Sequence, residues 1–499
     1  MTKAIVNLDL PGPLVSRHQH GHFAEHLGHC IYEGIFVGAD SEIPNDKGIR
    51  LDVVEALKEI GIPNLRWPGG CFADDYHWRD GIGTDRPTVV NSLWGDVVED
   101  NSFGTHEFMH LIDLLETEPY ICGNVGSGTV QEMSQWVEYL TRGDDSPMAR
   151  LRRSNGRDEP WTVKFWGVGN ESWGCGGNMR PEHYADLARQ YGTYCRDHGD
   201  NRLYRIACGA NVDDYAWTQT LMSTVGDLGC GCRPADHFQG LSLHHYTFGK
   251  SWEEKGSATD FDTDDYFTTV ANAWRMDELI ARHSTIMDVY DPTRRIGLIV
   301  DEWGTWWEPE PGSNPGFLVQ RQTLRDALVA SVTLDIFHAH AERVEMANLA
   351  QAVNVLQAVL VTDGATLTRT PTWHVFEMNQ GHGDGSLLPV QWNERPTRSV
   401  PQEGPRPDVD LPLLHASVTV KDGRVLVSAT NLALEPQEVD LELRGGSVSL
   451  DGARLLTASD LHDEEVSVTA FGGASLEGGV LKLRMPATSY VVAELTLEA

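Results

Sequence analysis

Lysine is scarce in this 499-residue chain, supplying 8 of 39 basic residues against 73 acidic ones, for a formal net charge of -34. So large an acidic excess excludes nucleic acid and anionic membrane surfaces as natural partners, since the field of the whole molecule repels both. A neutral substrate is compatible with it. The same bias suits a protein kept soluble at high salt, the plain alternative being an acidic surface without special purpose. On the first reading, activity and stability do not fall steadily as salt rises from low concentration. Long apolar runs are also missing: no stretch approaches the roughly 18 residues that a spanning helix needs. The opening MTKAIVNLDLPGP has neither the apolar run nor the cleavage site of a secretion signal, so a cytoplasmic home is expected. Cysteine is sparse and scattered, at 30, 71, 122, 175, 195, 208, 230 and 232. Several lie in apolar runs, where a reduced thiol packs as a small hydrophobe, again in keeping with a reducing compartment. Metal-ligand spacing is weak as well. HGHFAEHLGH gathers His20, His22, His26 and His29, but a zinc metalloprotease needs Glu after the first of its two paired histidines, and Phe23 follows His22. No metal and no cofactor is expected.

What is present is the texture of a large α/β enzyme. Apolar residues make up 40% and glycine 49 positions, an ordinary globular composition with many tight turns. From about residue 18 to 385, short apolar runs alternate with longer amphipathic ones. HFAEHL, IPNLRW, PYICGN, VKFWGVGN, YRIACG, GLSLHHY, IGLIVDE and VEMANLA read as strands. Helical periodicity marks DVVEALKEIG, THEFMHLIDLLE, VQEMSQWVEYL, PEHYADLARQYGTYCRDHG and LVQRQTLRDALVASVTLDIF between them. Eight strand–helix units predict a (β/α)8 TIM barrel over 18–385, with its chemistry where strands end. In QWNERPTRSVPQEGPRPDVD, Pro396, Pro401, Pro405 and Pro407 disfavour regular structure. Beyond it, alternating segments such as ASVTVKDGRVLVSATNLA predict an antiparallel β-sandwich over 386–499, with a hairpin turn at KDG. Residues 1–17 contain a strand expected to join that sandwich.

Two predicted strands finish on acids that a core would not tolerate idle: VKFWGVGNESWG gives Asn170 and Glu171, and IGLIVDEWGTWW gives Asp301 and Glu302. Strands four and seven of a barrel end across one cavity, so Glu171 and Glu302 are expected to face each other. Opposed carboxylates suit glycoside hydrolysis, one protonating the leaving oxygen while the other attacks the anomeric carbon or activates water. Their separation decides the outcome: about 5 to 5.5 Å means retention and roughly 6.5 to 9.5 Å inversion.

RWPGG (66–70), NSFGTHEF (101–108), GVGNESWG (167–174), HHY (244–246), DEW (301–303) and ANLAQAVNVL (347–356) together resemble glycoside hydrolase family 51, the α-L-arabinofuranosidases. The resemblance runs through the barrel in order and into the sandwich. It implies a retaining enzyme that removes terminal α-L-arabinofuranosyl groups from arabinoxylan, arabinan or derived oligosaccharides, working as a homo-oligomer, in many members a hexamer. Carried onto matching positions, it implies Glu171 as acid/base and Glu302 as nucleophile. Asn170 matches the ligand of the sugar 2-hydroxyl, Tyr246 the phenol that orients the nucleophile, and His244 the imidazole near the acid/base. Glu25 and Gln351 match sugar-hydroxyl ligands. Glu25 thereby gives the histidine-rich segment its purpose, with His20, His22 and His26 as packing residues. One position departs from the pattern: RWPGGCF places Cys71 where many members carry a sugar-binding Asn. A thiol is a feeble hydrogen-bond partner, and Asp74 is a candidate to replace the contact. Trp94, Trp306 and Trp307 are expected on loops above the barrel, where aromatic faces stack on sugar rings. Trp173 is placed to desolvate Glu171. A related retaining barrel glycosidase, such as a β-xylosidase or endo-glucanase, is the alternative that the two-carboxylate arrangement also permits. A non-catalytic carbohydrate-binding protein is a further one, which the intact set of acids argues against.

Overall fold

The computed structural model describes residues 2–225, 237–402 and 407–498. Cys230, Cys232 and Pro405 lie outside the described residues. Eight parallel strands close into a barrel: β1 (Gly21–Phe23), β2 (Asn64–Trp67), β3 (Glu118–Gly123), β4 (Phe165–Val168), β5 (Tyr204–Asn211), β6 (Gly240–Thr247), β7 (Gly297–Thr305) and β8 (Val344–Ala350). Each pairs with the next, and β8 returns to β1 with Asn348 opposite Gly21. The strands are buried on both faces, the reason they read as apolar runs without alternation; all nine residues of β7 are buried. Tyr120, Phe165, Ile206, Ile299 and Met346, from five different strands, fill the barrel centre. β1 is shorter than HFAEHL suggested. It stops at Phe23 and leaves Glu25 beyond the strand end.

The helices Leu51–Glu59, Thr105–Leu115, Val130–Thr141 and Pro181–Tyr194 follow the predicted periodicity. The helix expected from residue 318 starts instead at Leu324, where Thr323 and Asp326 form a capping box and stop it growing backwards. No helix among the described residues is long and apolar enough to cross a membrane.

The C-terminal strands build two sheets. One, with six strands, is antiparallel throughout; the other has five. Into the second the strand Thr2–Asn7 inserts, antiparallel to Gln391–Glu394 but parallel to Gln437–Arg444, so the layer is not wholly antiparallel. A strand arriving from the far end of the chain is free of hairpin geometry and can take either direction. KDG does make a hairpin turn. Lys421 pairs with Arg424, and Asp422 (φ 50°) and Gly423 (φ 78°) both take the left-handed conformation that a two-residue type I′ turn requires. The proline-rich linker is more regular than expected, because Thr397–Val400 and Val409–Pro412 pair as a ribbon. Pro396, Pro401 and Pro407 fall outside its strands, where they cost no ladder hydrogen bond.

Helix Leu324–Ala339 lies between barrel and sandwich. Its His338 Nδ1 is 3.0 Å from Ser417 Oγ, and Asp335 Oδ1 accepts from Ser428 Oγ at 3.0 Å. Asp335 Oδ2 has no partner among the described residues, and burial pushes this carboxyl up to about 8 from an ordinary 3.8. An acid raised in the fold is neutral there while its unfolded counterpart ionises. Its stabilising contribution is therefore complete below about 3.8 and is lost as pH rises towards 8. Asp335→Asn removes that loss, so the melting temperature of the variant, relative to wild type, climbs between about pH 4 and pH 8 in calorimetry. A constant difference across the range would contradict this account of the seam.

The clustered histidines are taken up in packing contacts. His20 bonds Asn379 Oδ1 at 2.8 Å, His22 lies against Phe376, and His26 accepts the Trp67 indole N–H at 3.1 Å while stacking on Phe72. Burial lowers His20 to about 4 and His22 to about 3, leaving both neutral. None of the three belongs to a group of metal-ligating side chains found among the described residues.

Candidate active site

At the C-terminal end of the barrel, a cavity of about 640 Å³ is lined by Glu25, Cys71, Trp94, Glu171, His244, Tyr246, Glu302 and Gln351. These are all of the predicted site residues save Asn170, which sits beside Glu171 with its side chain on Arg66. β6 and β7 supply the centre. In a regular strand consecutive side chains point to opposite faces, yet Asp301 and Glu302 both reach the barrel interior. The pairing of β7 with β8 shifts register between Val300 and Trp303, and that of β6 with β7 between Ser242 and His244. Bulges of this kind re-aim side chains.

Arg66, at the inner face of β2, is the cation that this arrangement needs. Its Nη1 donates to Glu302 Oε1 at 2.8 Å, its Nε lies 3.6 Å from Asp301 Oδ2, and its Nη2 donates to Asn170 Oδ1 at 2.6 Å. Glu302 Oε2 accepts the Tyr246 hydroxyl at 2.8 Å, so both oxygens of this carboxylate are held. His244 bridges the acids, with Nδ1 2.8 Å from Glu171 Oε1 and 3.5 Å from Glu302 Oε2, and Nε2 3.1 Å from Asp301 Oδ1. Burial opposes a charge on His244, but Glu302, Asp301 and Glu171 around it outweigh that and raise it to about 10. Glu171 is raised above the ordinary carboxylate range by burial and by the charge of Glu302, with the His244 hydrogen bond opposing. The centre therefore favours an imidazolium on His244 beside an Asp301 that Arg66 and His244 hold below the usual carboxylate range, while Glu171 keeps its proton more firmly than an ordinary carboxyl. An oxygen of Glu171 lies within 4.8 Å of one of Glu302.

The loop after β4 is built for closeness. Glu171 has φ 38°, a region that favours glycine, and a Cβ on Gly176 would stand 1.8 Å from the Asn170 carbonyl oxygen. Asp74, the candidate for a sugar contact, is engaged elsewhere. Its oxygens accept the backbone N–H groups of Val125, Gly126 and Asn170, so it fixes the loop instead. Glu25 accepts from Phe72 N (2.9 Å), Trp94 Nε1 (3.0 Å) and Gln351 Nε2 (3.1 Å). Gly70 in RWPGG makes room for it, since a Cβ there would come within 2.8 Å of the carboxylate. Burial and the Glu302 charge push Glu25 up to about 8.

Comparison with known proteins decides the family. Residues 301–489 match the α-L-arabinofuranosidase C-terminal domain and residues 56–197 the α-L-arabinofuranosidase 1 domain. An intracellular exo-α-L-arabinofuranosidase of Bacteroides ovatus is 47% identical over 98% of this chain and 95% of its own. The chain belongs to glycoside hydrolase family 51, the α-L-arabinofuranosidases. The crystal structure of the family 51 arabinofuranosidase from Xanthomonas axonopodis pv. citri superposes with a TM-score of 0.93 at 46% identity, covering 100% of this chain and 99% of that one. An arabinose complex from Thermotoga maritima superposes at 0.85 with 28% identity, covering 99% of each.

Three features of this family 51 chain differ from the sequence reading. Cys71 is no free thiol. It forms a disulfide with Cys175, 104 residues away, while Cys30, Cys122, Cys195 and Cys208 are free and buried. The bridge also means that a reducing compartment does not follow from the cysteines. Trp307 is core, not a stacking surface, with its Nε1 donating to Asp326 Oδ1 at 2.9 Å and Arg325 stacked on its ring. Trp306 does line the cavity, joined by Phe248 and Trp252, which sequence reasoning missed. Their signal was present in HHYTFGKSW, an aromatic cluster directly after a strand that carries site residues.

Proposed function

We propose that the chain is an exo-acting, retaining α-L-arabinofuranosidase that releases terminal α-L-arabinofuranosyl groups from arabinoxylan, arabinan or derived oligosaccharides. The observation that carries it is the pair of opposed carboxylates with oxygens within 4.8 Å of each other, which supports the short separation of a retaining enzyme over the wide one of an inverting enzyme. Glu302, oriented by Arg66 and Tyr246, attacks the anomeric carbon while Glu171 gives its proton to the leaving oxygen. A covalent arabinosyl ester forms and the charge of Glu302 disappears. With that charge gone, Glu171 loses one of the influences that raised it and serves as base for the incoming water. Asn170 is assigned to the sugar 2-hydroxyl, where a hydrogen bond tightens as the ring flattens. Glu25, Gln351 and Trp94 are assigned to the remaining hydroxyls, Cys71 to the wall beside them, and Trp306 with Trp252 to the leaving-group side.

Tyr246→Phe removes one hydrogen bond to the attacking carboxylate and leaves the cavity shape intact. We expect kcat to fall about 10- to 100-fold with little change in KM, the worth of one hydrogen bond to a charged group. Steady-state kinetics that place the loss in KM would reassign Tyr246 to ground-state binding. The substrate class itself is tested with p-nitrophenyl α-L-arabinofuranoside beside the α-L-arabinopyranoside, β-D-xylopyranoside and β-D-glucopyranoside. Preference for the furanoside supports the assignment, and turnover of another glycoside alone would overturn it.

The working unit is taken as a catalytic barrel (18–385) with a sandwich (386–499) completed by residues 1–17. It is assigned to the cytoplasm, in line with the relative named intracellular, and to a homo-oligomer, the hexamer that the family resemblance implies. A monomeric mass by light scattering, or active enzyme in culture supernatant without lysis, would refute the respective assignment.

A further inference from the structure

The double-displacement scheme makes no use of the Cys71–Cys175 bridge, yet both sulfurs touch its acid. Glu171 Oε2 lies 3.4 Å from Cys175 Sγ and 3.8 Å from Cys71 Sγ, while Oε1 faces His244 Nδ1 at 2.8 Å. A bridged sulfur carries no hydrogen, so it offers Oε2 nothing; two thiols in the same places would each offer an S–H. A donor to a carboxylate favours its ionised form, and an acid catalyst must keep its proton until the leaving oxygen takes it. The other groups around Glu171 are His244 and Tyr246 from β6, Asp301 and Glu302 from β7, and Arg66 from β2. Among the described residues none of them donates to Oε2.

The bridge has a mechanical side as well. Cys175 lies in the turn that follows Glu171, closed by Gly174 N at 2.7 Å and Gly176 N at 3.1 Å from the Glu171 carbonyl oxygen. Cys71 lies on the loop after β2, next to Phe72, whose N–H holds Glu25. The two sulfurs thus join the loop of the acid to the loop whose Phe72 N–H holds Glu25. A backbone held at φ 38° persists only when its surroundings over-determine it.

We propose that the Cys71–Cys175 disulfide is a positioning element for the acid/base: it presents hydrogen-free sulfur to Glu171 Oε2 and pins the turn that carries it, so that reduction to two thiols weakens proton donation to the leaving group. The inference rests on the reading of Glu171 as acid/base. Reduction by a dithiol transfers two electrons and two protons to the bridge, breaking one S–S bond, and the reductant leaves as its own cyclic disulfide.

The test uses the folded enzyme before and after dithiothreitol, with alkylation and peptide mass spectrometry establishing that Cys71 and Cys175 are free. Two arabinofuranosides are compared, a 2,4-dinitrophenyl glycoside, whose leaving group needs no proton, and an arabino-oligosaccharide, whose leaving group does. Reduction is expected to lower kcat/KM on the oligosaccharide about tenfold, within the range of acid catalysis, while the dinitrophenyl value stays within about twofold. The alkaline limb of the oligosaccharide pH profile moves to lower pH, and reoxidation restores both. Cys71→Ala/Cys175→Ala is insensitive to dithiothreitol. Cys71→Ser/Cys175→Ser, whose hydroxyls are donors, reproduces the reduced enzyme and carries the test if reduction unfolds the chain. Equal losses on both substrates, or none with both thiols free, overturn the proposal. Glu171→Ala run in parallel separates the two levels. If it shows the leaving-group split and reduction does not, the bridge has no such role; if it shows no split, the acid/base reading itself falls.

Discussion

Glu302→Ala is expected to lower furanosidase turnover by about four to six orders of magnitude, the scale on which loss of a covalent nucleophile is felt. Nothing near it can substitute. Asp301 is one residue away, but its oxygens are committed to Tyr120, His244 and Arg66, and it lies 2% exposed below the cavity floor. The substitution also leaves Arg66 with one anion where it had two and removes one of the charges that keep His244 protonated. Calorimetry therefore accompanies the kinetics, so that lost chemistry is distinguished from lost fold. Retention of more than about one per cent of wild-type kcat by a folded variant would move the nucleophile elsewhere.

Glu171→Ala is expected to act selectively. On arabino-oligosaccharides, kcat/KM falls about 10³- to 10⁴-fold, towards the upper end of general acid catalysis. On a dinitrophenyl arabinofuranoside kcat/KM is nearly preserved, while kcat falls because the ester now lacks a base to activate water. Azide, which needs no base, restores turnover and yields the α-arabinosyl azide, retained in configuration. The same loss on both substrates, without azide rescue, would remove Glu171 from proton transfer. His244 supplies a supporting contrast, since its two ring nitrogens are taken up by Glu171 Oε1 and Asp301 Oδ1, so it adjusts the acid and does not itself serve the leaving group.

Much of this arrangement was legible in the sequence for a physical reason. Parallel strands buried on both faces appear as apolar runs, and an acid closing such a run has no packing purpose, which singled out Glu171 and Glu302. Glu25 was legible only through family resemblance, because a strand of three residues leaves little periodicity to read. Other features depend on distances along the chain that no local pattern spans. Cys71 and Cys175 are separated by 104 residues, and nothing around either distinguishes a bridged cysteine from a packed thiol. The inward turn of both Asp301 and Glu302 depends on a register shift between neighbouring strands. Trp306 and Trp307 are adjacent and alike in sequence, yet only the second finds a buried carboxylate, Asp326, for its indole N–H.

The measurement that tests the central claim most directly is to trap the intermediate. Enzyme mixed with a dinitrophenyl arabinofuranoside and quenched in acid before the steady state is digested and mapped by mass spectrometry. The account predicts one arabinosyl group in ester linkage on the peptide carrying Glu302, absent when turnover is complete. Rapid turnover with no adduct, or an adduct on any other residue, would contradict it.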